Sequence, residues 1–404
     1  MLRFKNLLSN TTVLFILLTF FSSCEKDENN YKPNSIVDST GLMGMLDSPW
    51  PCEGHDSRRS SQSPYNGPDD STVVWTYNAS PGYHVEKALS PVIDNEGNLY
   101  SIVWMSLLKL DASGNELWFE GMGYYLWSMP TLSSDDKVIV TGYYYYPTTG
   151  WSNGGGIALD LTGNELWKFE TEDQYDGGVS GAAAVAPDGT IYLADGGGYL
   201  YAVSPDGGIR WKYPTSRRTA SSPALTAEGT IITIDYDNYV YAIHPDGSLK
   251  WQKQIDANVG YDMAVDIDGT IYLTTENGLI AMSDEGDILW DFPVNGGVSY
   301  RPAIGMDHSV VFGGDDGFIY ALNPNGTEKW KYETEDALAS TPTLDARGHV
   351  YIGGCDNYLY ALTEHGELKW RYYLRIAEGQ PTIGADGTLY VGTNRGLVIA
   401  FKDQ

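Results

Sequence analysis

His84, Tyr124, Tyr300 and Arg301 are the side chains of this 404-residue chain whose types could cleave a uronate-containing polysaccharide by elimination. A His or Tyr would withdraw the proton beside the uronate carboxylate, and an Arg would neutralise that carboxylate. Arg217 and Arg218 would add positive charge. The competing reading is structural, because lone His and Tyr side chains more often pack or lie on a surface than catalyse. His244, His308, His349 and His365 fall in predicted strands or turns and are given no role.

A binding role asks less of the same residues. Tyr124, Trp127, Tyr144, Trp151, Arg217, Arg218, Tyr261, Tyr300 and Arg301 all fall in segments expected to form loops on one face. Tyr, Trp and Arg offer large, rigid contact area with a polar tip, and aromatic faces also stack on sugar rings. Trp104, Tyr143 and the Asp235/Asp237 pair belong to a second set of loops on that face. Against this, Tyr is common throughout the chain, 30 of 404 residues, and Asp in Asp-Gly or Asp-Asn pairs is usually a turn former. The densest aromatic cluster is Gly142–Gly156, which carries Tyr143 to Tyr146 and Trp151. That stretch is an insertion, and insertions in repeat proteins map to loops. It could equally seal its own repeat against the N-terminal segment. No metal loop, phosphate loop or hydrolase motif is present in the sequence, so no metal, cofactor or catalytic set is expected.

These residues need a scaffold, and the tryptophans describe it. Trp75, Trp118, Trp167, Trp211, Trp251, Trp290, Trp330 and Trp370 are separated by 43, 49, 44, 40, 39, 40 and 40 residues. A period near 40 with strand-like content is the signature of a β-propeller blade. Each unit holds four short β-rich runs, as in Ser222–Ala227, Gly229–Ile234, Tyr239–His244 and Ser248–Trp251. Asp-Gly, Glu-Gly and Asn-Gly pairs separate them, because Gly accepts positive φ at little cost. The final unit, Gln380–Phe401, lacks its last strand, and Val73–Tyr77 precedes the first full unit. The arithmetic predicts an all-β, eight-bladed propeller of four-stranded blades over residues 72–404. The N-terminal strand closes the last blade and hides both edges.

The repeats carry Ala202, Gly207 and Trp211; Ala242, Gly247 and Trp251; Ala321, Gly326 and Trp330; and Ala361, Gly366 and Trp370. In these positions the chain resembles the pyrroloquinoline-quinone-type propeller repeat, over residues 72–404. The turn before the Gly is one residue shorter than in the dehydrogenases of that family. The chain therefore looks more like the shorter, BamB-like propeller lipoproteins. That resemblance implies a non-catalytic binding or scaffolding module, for an outer-membrane protein or a polysaccharide. A quinone-dependent dehydrogenase is the remotest alternative. Such enzymes carry adjacent cysteines over the quinone, and this chain has no Cys-Cys pair.

Residues 1–23 read as a targeting segment, with Arg3 and Lys5 before the apolar run Val13–Phe21. It ends at Ser22-Ser23-Cys24, which resembles a bacterial lipobox whose cysteine is acylated. Cys24 would tether the chain to the outer membrane, and the acidic run after it is similar to a surface-export signal. The alternatives are an ordinary secretory signal and a plain solvated tether. Residues 24–71 are rich in Ser, Pro, Asn, Asp and Gly and read as linker. Part of that stretch, Ser48–Pro64, is expected to pack on the propeller.

The net charge is −28. Removing residues 1–23 deletes two bases and no acid, which takes it to −30. Such a charge disfavours nucleic acid and anionic membrane surfaces as partners, and a monomer is expected. Cys52 and Cys355 could bridge the N-terminal segment to blade 7 or remain two free thiols.

Overall fold

The computed structural model describes residues 48–79, 88–123, 125–145, 152–171, 178–219, 221–374 and 379–404. Among them the strands form eight antiparallel sheets and no helix. Each sheet is a blade whose strands run in order from the propeller axis outward.

Blade 4 shows the pattern, with Ala224–Leu225 innermost, then Ile231–Ile234, Tyr239–Ile243 and Leu249–Gln254. The second strand is buried throughout and the third nearly so, because neighbouring blades cover both faces. These runs are accordingly almost continuously apolar. Outer strands bury only alternate residues, as in Glu328–Glu333. The last blade is Thr382–Ile383, Leu389–Gly392 and Leu397–Phe401, closed by Val73–Asn78. The N-terminal strand pairs with the C-terminal one as the repeat predicts.

The repeat residues set the blade-to-blade seam. Trp211, Trp251, Trp290, Trp330 and Trp370 each lie directly across from the small Ala202, Ala242, Ala281, Ala321 and Ala361, beside a register shift. Each indole reaches the next blade. Trp211 Nε1 donates to the Pro245 carbonyl at 2.9 Å, Trp290 to Pro324 at 2.9 Å and Trp330 to Glu364 at 2.9 Å. The ring covers the glycine of the hairpin it reaches: a Cβ on Gly247 would stand 2.9 Å from Trp211. That contact, together with the positive φ of the turn, is why glycine recurs there. Blade 1 departs from the rule. Lys109 takes the place of Ala, pairs across from Trp118, and its ammonium donates to the Leu161 carbonyl at 3.0 Å. Lysine thus occupies the acceptor that the repeat reserves for tryptophan, and Trp118 Nε1 is left without a partner.

Blade 2 absorbs the insertion by lengthening its central hairpin. Lys137–Tyr145 and Ser152–Asp160 are nine residues each, and two short inner strands, Tyr125–Leu126 and Thr131–Ser133, both pair with the first of them. Trp151 lies outside the described residues.

Candidate functional site: a plugged channel and an aromatic loop face

The segment that composition marks as linker threads the propeller axis. Innermost strands end in backbone N–H groups whose acceptors lie outside the blades. Six of these are satisfied by one short stretch of chain. Ile93 donates to the Trp50 carbonyl, Leu132 to Pro51, Leu225 to Ser57, Val265 to Arg58, Ile304 to Ser60 and Leu344 to Ser61, at 2.7–3.0 Å. The Ser57 hydroxyl donates to the Val185 carbonyl of blade 3 at 2.8 Å, and Gln380 of blade 8 donates to Ser61 Oγ at 2.9 Å. Residues 50–61 therefore touch every blade and plug the channel. A buried amide without a partner costs about 1–3 kcal/mol, so the ring of bonds makes the segment part of the fold.

Two arginines are enclosed with it. Arg59 is fully buried and donates to the Glu53, Ala182, Ala183 and Pro223 carbonyls at 2.8–3.3 Å. Arg301 is 1% exposed. Its Nη2 lies 3.3 Å from Gln380 Oε1 and 3.5 Å from Glu53 Oε1, and its Nη1 lies 3.8 Å from Asp262 Oδ1. A register shift between Val259 and Met263 takes Asp262 out of its ladder. Burial pushes its carboxyl above the usual range, and Arg301 only partly offsets this. Arg301 thus braces the plug instead of standing on the binding face expected for it. The physical reason is charge: Glu53 enters the channel with the plug and draws the guanidinium inward.

Cys52 belongs to the same plug. It packs with Ile139, Phe169 and Val179, and burial pushes its thiol up to about 12. Cys355 is exposed, and neither cysteine is in a disulfide. The disulfide reading is thereby corrected, since Cys52 turns toward blades 2 and 3 and Cys355 follows the second strand of blade 7.

The loop face holds the connections between blades and the hairpins between second and third strands. Arg217 is exposed there and pairs with Asp237 Oδ1 at 3.0 Å. Arg218 lies over the Tyr236 ring, 5.4 Å from its centroid. Tyr300 is half-buried beside Arg301. Trp127 is exposed, and its ring stacks on Tyr143 at 6.3 Å and 11°, while Tyr143 stacks on Tyr125 at 5.2 Å and 21°. Trp104, also exposed, sits at the tip of the central hairpin of blade 1 with φ of 56°, a backbone region unfavourable to a bulky side chain. Of the expected face, Trp127, Arg217, Arg218 and Tyr300 are placed in loops between blades. His84, Tyr124, Trp151 and Cys24 lie outside the described residues, as do the side chains of Tyr144 and Tyr261.

A quinone stacked on the axis would have to displace residues 51–61 and the buried Arg59, and the chain has no adjacent cysteines to cover it. The residues present do not fit that group. Sequence reasoning missed the plug residues Glu53, Arg59 and Gln380 as a unit. The available signal was a pair of arginines, Arg58-Arg59, in a stretch expected to pack.

No curated protein sequence matches the chain. Among solved structures, BamB from Moraxella catarrhalis superposes with a TM-score of 0.63 at 16% identity, over 83% of this chain and 100% of its own. The quinohemoprotein alcohol dehydrogenase from Comamonas testosteroni gives 0.70 at 16% identity, over 90% of this chain and 82% of its own. Quinohemoprotein alcohol dehydrogenase ADHIIG from Pseudomonas putida HK5 gives 0.69 at 13% identity, over 92% and 82%. At such identities the likeness shows the fold alone. The family profile described as outer membrane protein assembly factor BamB matches residues 153–275, 237–370 and 275–404. Those matches run from blade 2 through blade 8, well over half of the chain, and the chain belongs to that family.

Proposed function

We propose that this chain is a non-catalytic scaffolding module of the outer membrane, anchored by a lipid on Cys24 and docking a protein partner through its loop face. The observation that carries the reading is the plug. Residues 50–61 fill the axis and hold Arg59 and Arg301 inward, which leaves the exposed loops as the surface for recognition. Trp104, Trp127 and Arg217 are exposed on it, and these residue types dominate binding energy at protein interfaces. The family's description, an outer-membrane assembly factor, supports the same direction.

A glycan ligand is the second reading, and the flat Trp127–Tyr143–Tyr125 stack favours it, because a pre-ordered aromatic face suits a sugar ring. The lyase set His84, Tyr124, Tyr300 and Arg301 is weakened as a catalytic group, since the Arg301 guanidinium faces Glu53 and Gln380 on the axis.

Two measurements test the proposal. Cys24→Ala should abolish fatty-acid labelling and release the chain from membranes; equal labelling would remove the anchor. Capture from outer-membrane extract should return a partner with the native chain and lose it with the Trp127→Ala/Arg217→Ala double variant. Retention only on a polysaccharide column would favour the glycan reading. An unsaturated product absorbing in the ultraviolet would instead establish a lyase.

A further inference from the structure

The repeat supplies an internal control for one unusual side chain. In every blade a tight hairpin joins the first strand to the second, and the N–H of its fourth residue donates to the carbonyl of its first, as Gly97 does to Asp94, Gly269 to Asp266 and His308 to Gly305. That fourth residue has positive φ throughout. Six blades place glycine there: Gly97, Gly189, Gly229, Gly269, Gly348 and Gly387. Blade 2 uses Asp136 and blade 6 uses His308, at a φ of 61°. An imidazole in that conformation is disfavoured relative to glycine, so the local turn does not account for it.

The neighbouring hairpin departs from the repeat in a complementary way. Blades 1, 5 and 7 begin this hairpin with an aspartate: Asp94, Asp266 and Asp345. Asp94 spends Oδ1 on the amides of Glu96 and Asn98. Asp345 does the same with Arg347 and His349. Asp266 does not. Its Oδ1 takes only the adjacent Ile267 amide at 2.6 Å, and the Thr270 amide goes to Asp268 Oδ1 at 2.9 Å. Asp266 Oδ2 is turned toward blade 6, where it lies 2.8 Å from His308 Nδ1. Asp266 is buried, and Asp268 brings a second carboxylate to the same place. One donor atom from each of the three lies within 4.8 Å of the others.

We propose that Asp266, Asp268 and His308 form a site for one divalent transition-metal ion that staples blade 5 to blade 6. Asp266 and His308 alone would make an ordinary ion pair; Asp268, exposed beside them, adds a second carboxylate oxygen and completes a three-ligand set. One imidazole nitrogen and two carboxylate oxygens suit Zn²⁺ and its neighbours Co²⁺, Ni²⁺ and Mn²⁺ better than the all-oxygen preferences of Ca²⁺ or Mg²⁺. Three protein ligands leave a coordination position for water. The ligands sit on two closed hairpins, so little chain must be ordered on binding. The chain's −28 net charge concentrates cations near the surface.

The test uses the untagged full chain, stripped with EDTA and dialysed, titrated with Co²⁺ by visible absorbance and with Zn²⁺ by calorimetry. One ion per chain is expected, with a rise in melting temperature that grows with Zn²⁺ concentration. His308→Gly restores the glycine that six other blades use, so it should fold at least as well without metal while losing this ion, with affinity down tenfold or more. Asp266→Asn should weaken binding similarly. Unchanged stoichiometry and affinity in His308→Gly, or no saturable binding of the native chain up to about 1 mM Zn²⁺, would overturn the site.

Discussion

Trp370 Nε1 donates to the carbonyl of Pro68 at 3.4 Å. In most other blades the corresponding indole bonds a hairpin of the following blade, as Trp330 does with Glu364. Blade 8 has no such hairpin, because its third and fourth strands come from opposite ends of the chain. Residues 67–68 stand in for it. Arg347 and Lys369 reinforce the substitution through Asp69, and Tyr351 donates to the same Pro68 carbonyl at 3.0 Å.

Deleting residues 48–70 while keeping Val73–Asn78 should therefore cost more than trimming a linker. Six inner-strand amides and the Trp370 indole lose their acceptors. At about 0.5–1.5 kcal/mol net for each bond the loss is several kcal/mol. A melting temperature within a degree or two of the native value would show that the plug is dispensable.

Arg301→Ala is expected to lower stability. It strands Glu53 and the half-buried Asp262 and leaves a void on the axis. A loss of roughly 2–3 kcal/mol is reasonable, below the full cost of a broken buried pair because both carboxylates retain some water. Denaturant melts of the alanine and methionine variants test this. Methionine should recover part of the loss by refilling the space, whereas an unchanged midpoint for alanine would refute the bracing role.

Acid should loosen the N-terminal segment before it unfolds the propeller. Burial alone would raise the Asp345 carboxyl, but hydrogen bonds from His349 and Arg347 outweigh it and hold the group below its ordinary value. Asp345 also accepts the Gly67 amide at 3.1 Å. A depressed native pKa contributes stability above the ordinary value of about 3.9, and that stability is lost as pH falls through the depressed value. Asp345→Asn should be less stable at pH 7 and show a shallower decline below about pH 4. Parallel decline in both proteins would assign the acid sensitivity elsewhere.

The two thiols of the folded domain should differ sharply. Cys355 is exposed, while burial holds the Cys52 thiol up at about 12. In a Cys24→Ser background a thiol reagent at pH 8 should titrate one group natively and two in denaturant. Cys355→Ser should abolish the native reaction; persistent labelling would place Cys52 within reach of solvent.

Blade number, the closing strand and the tryptophan seam were all legible in the residues alone. They are local, repeated eight times, and follow from Trp spacing, turn glycines and strand-length apolar runs, so any one ambiguous unit is corrected by the others. The arginine-bearing loops could likewise be placed on one face by counting strands. What only the tertiary structure decided is whatever occurs once. Ser48–Pro68 has no period and a linker's composition, yet its carbonyls match the ring of inner-strand amides that exists only after the blades close. Arg301 and Arg217 are both loop arginines in sequence. One turns inward because Glu53 arrives with the plug, and the other stays outside because Asp237 meets it there. Lys109 opposite Trp118 and His308 against Asp266 are likewise single departures from the repeat. Each acquires its meaning from a neighbour in an adjacent blade, more than 40 residues away along the chain.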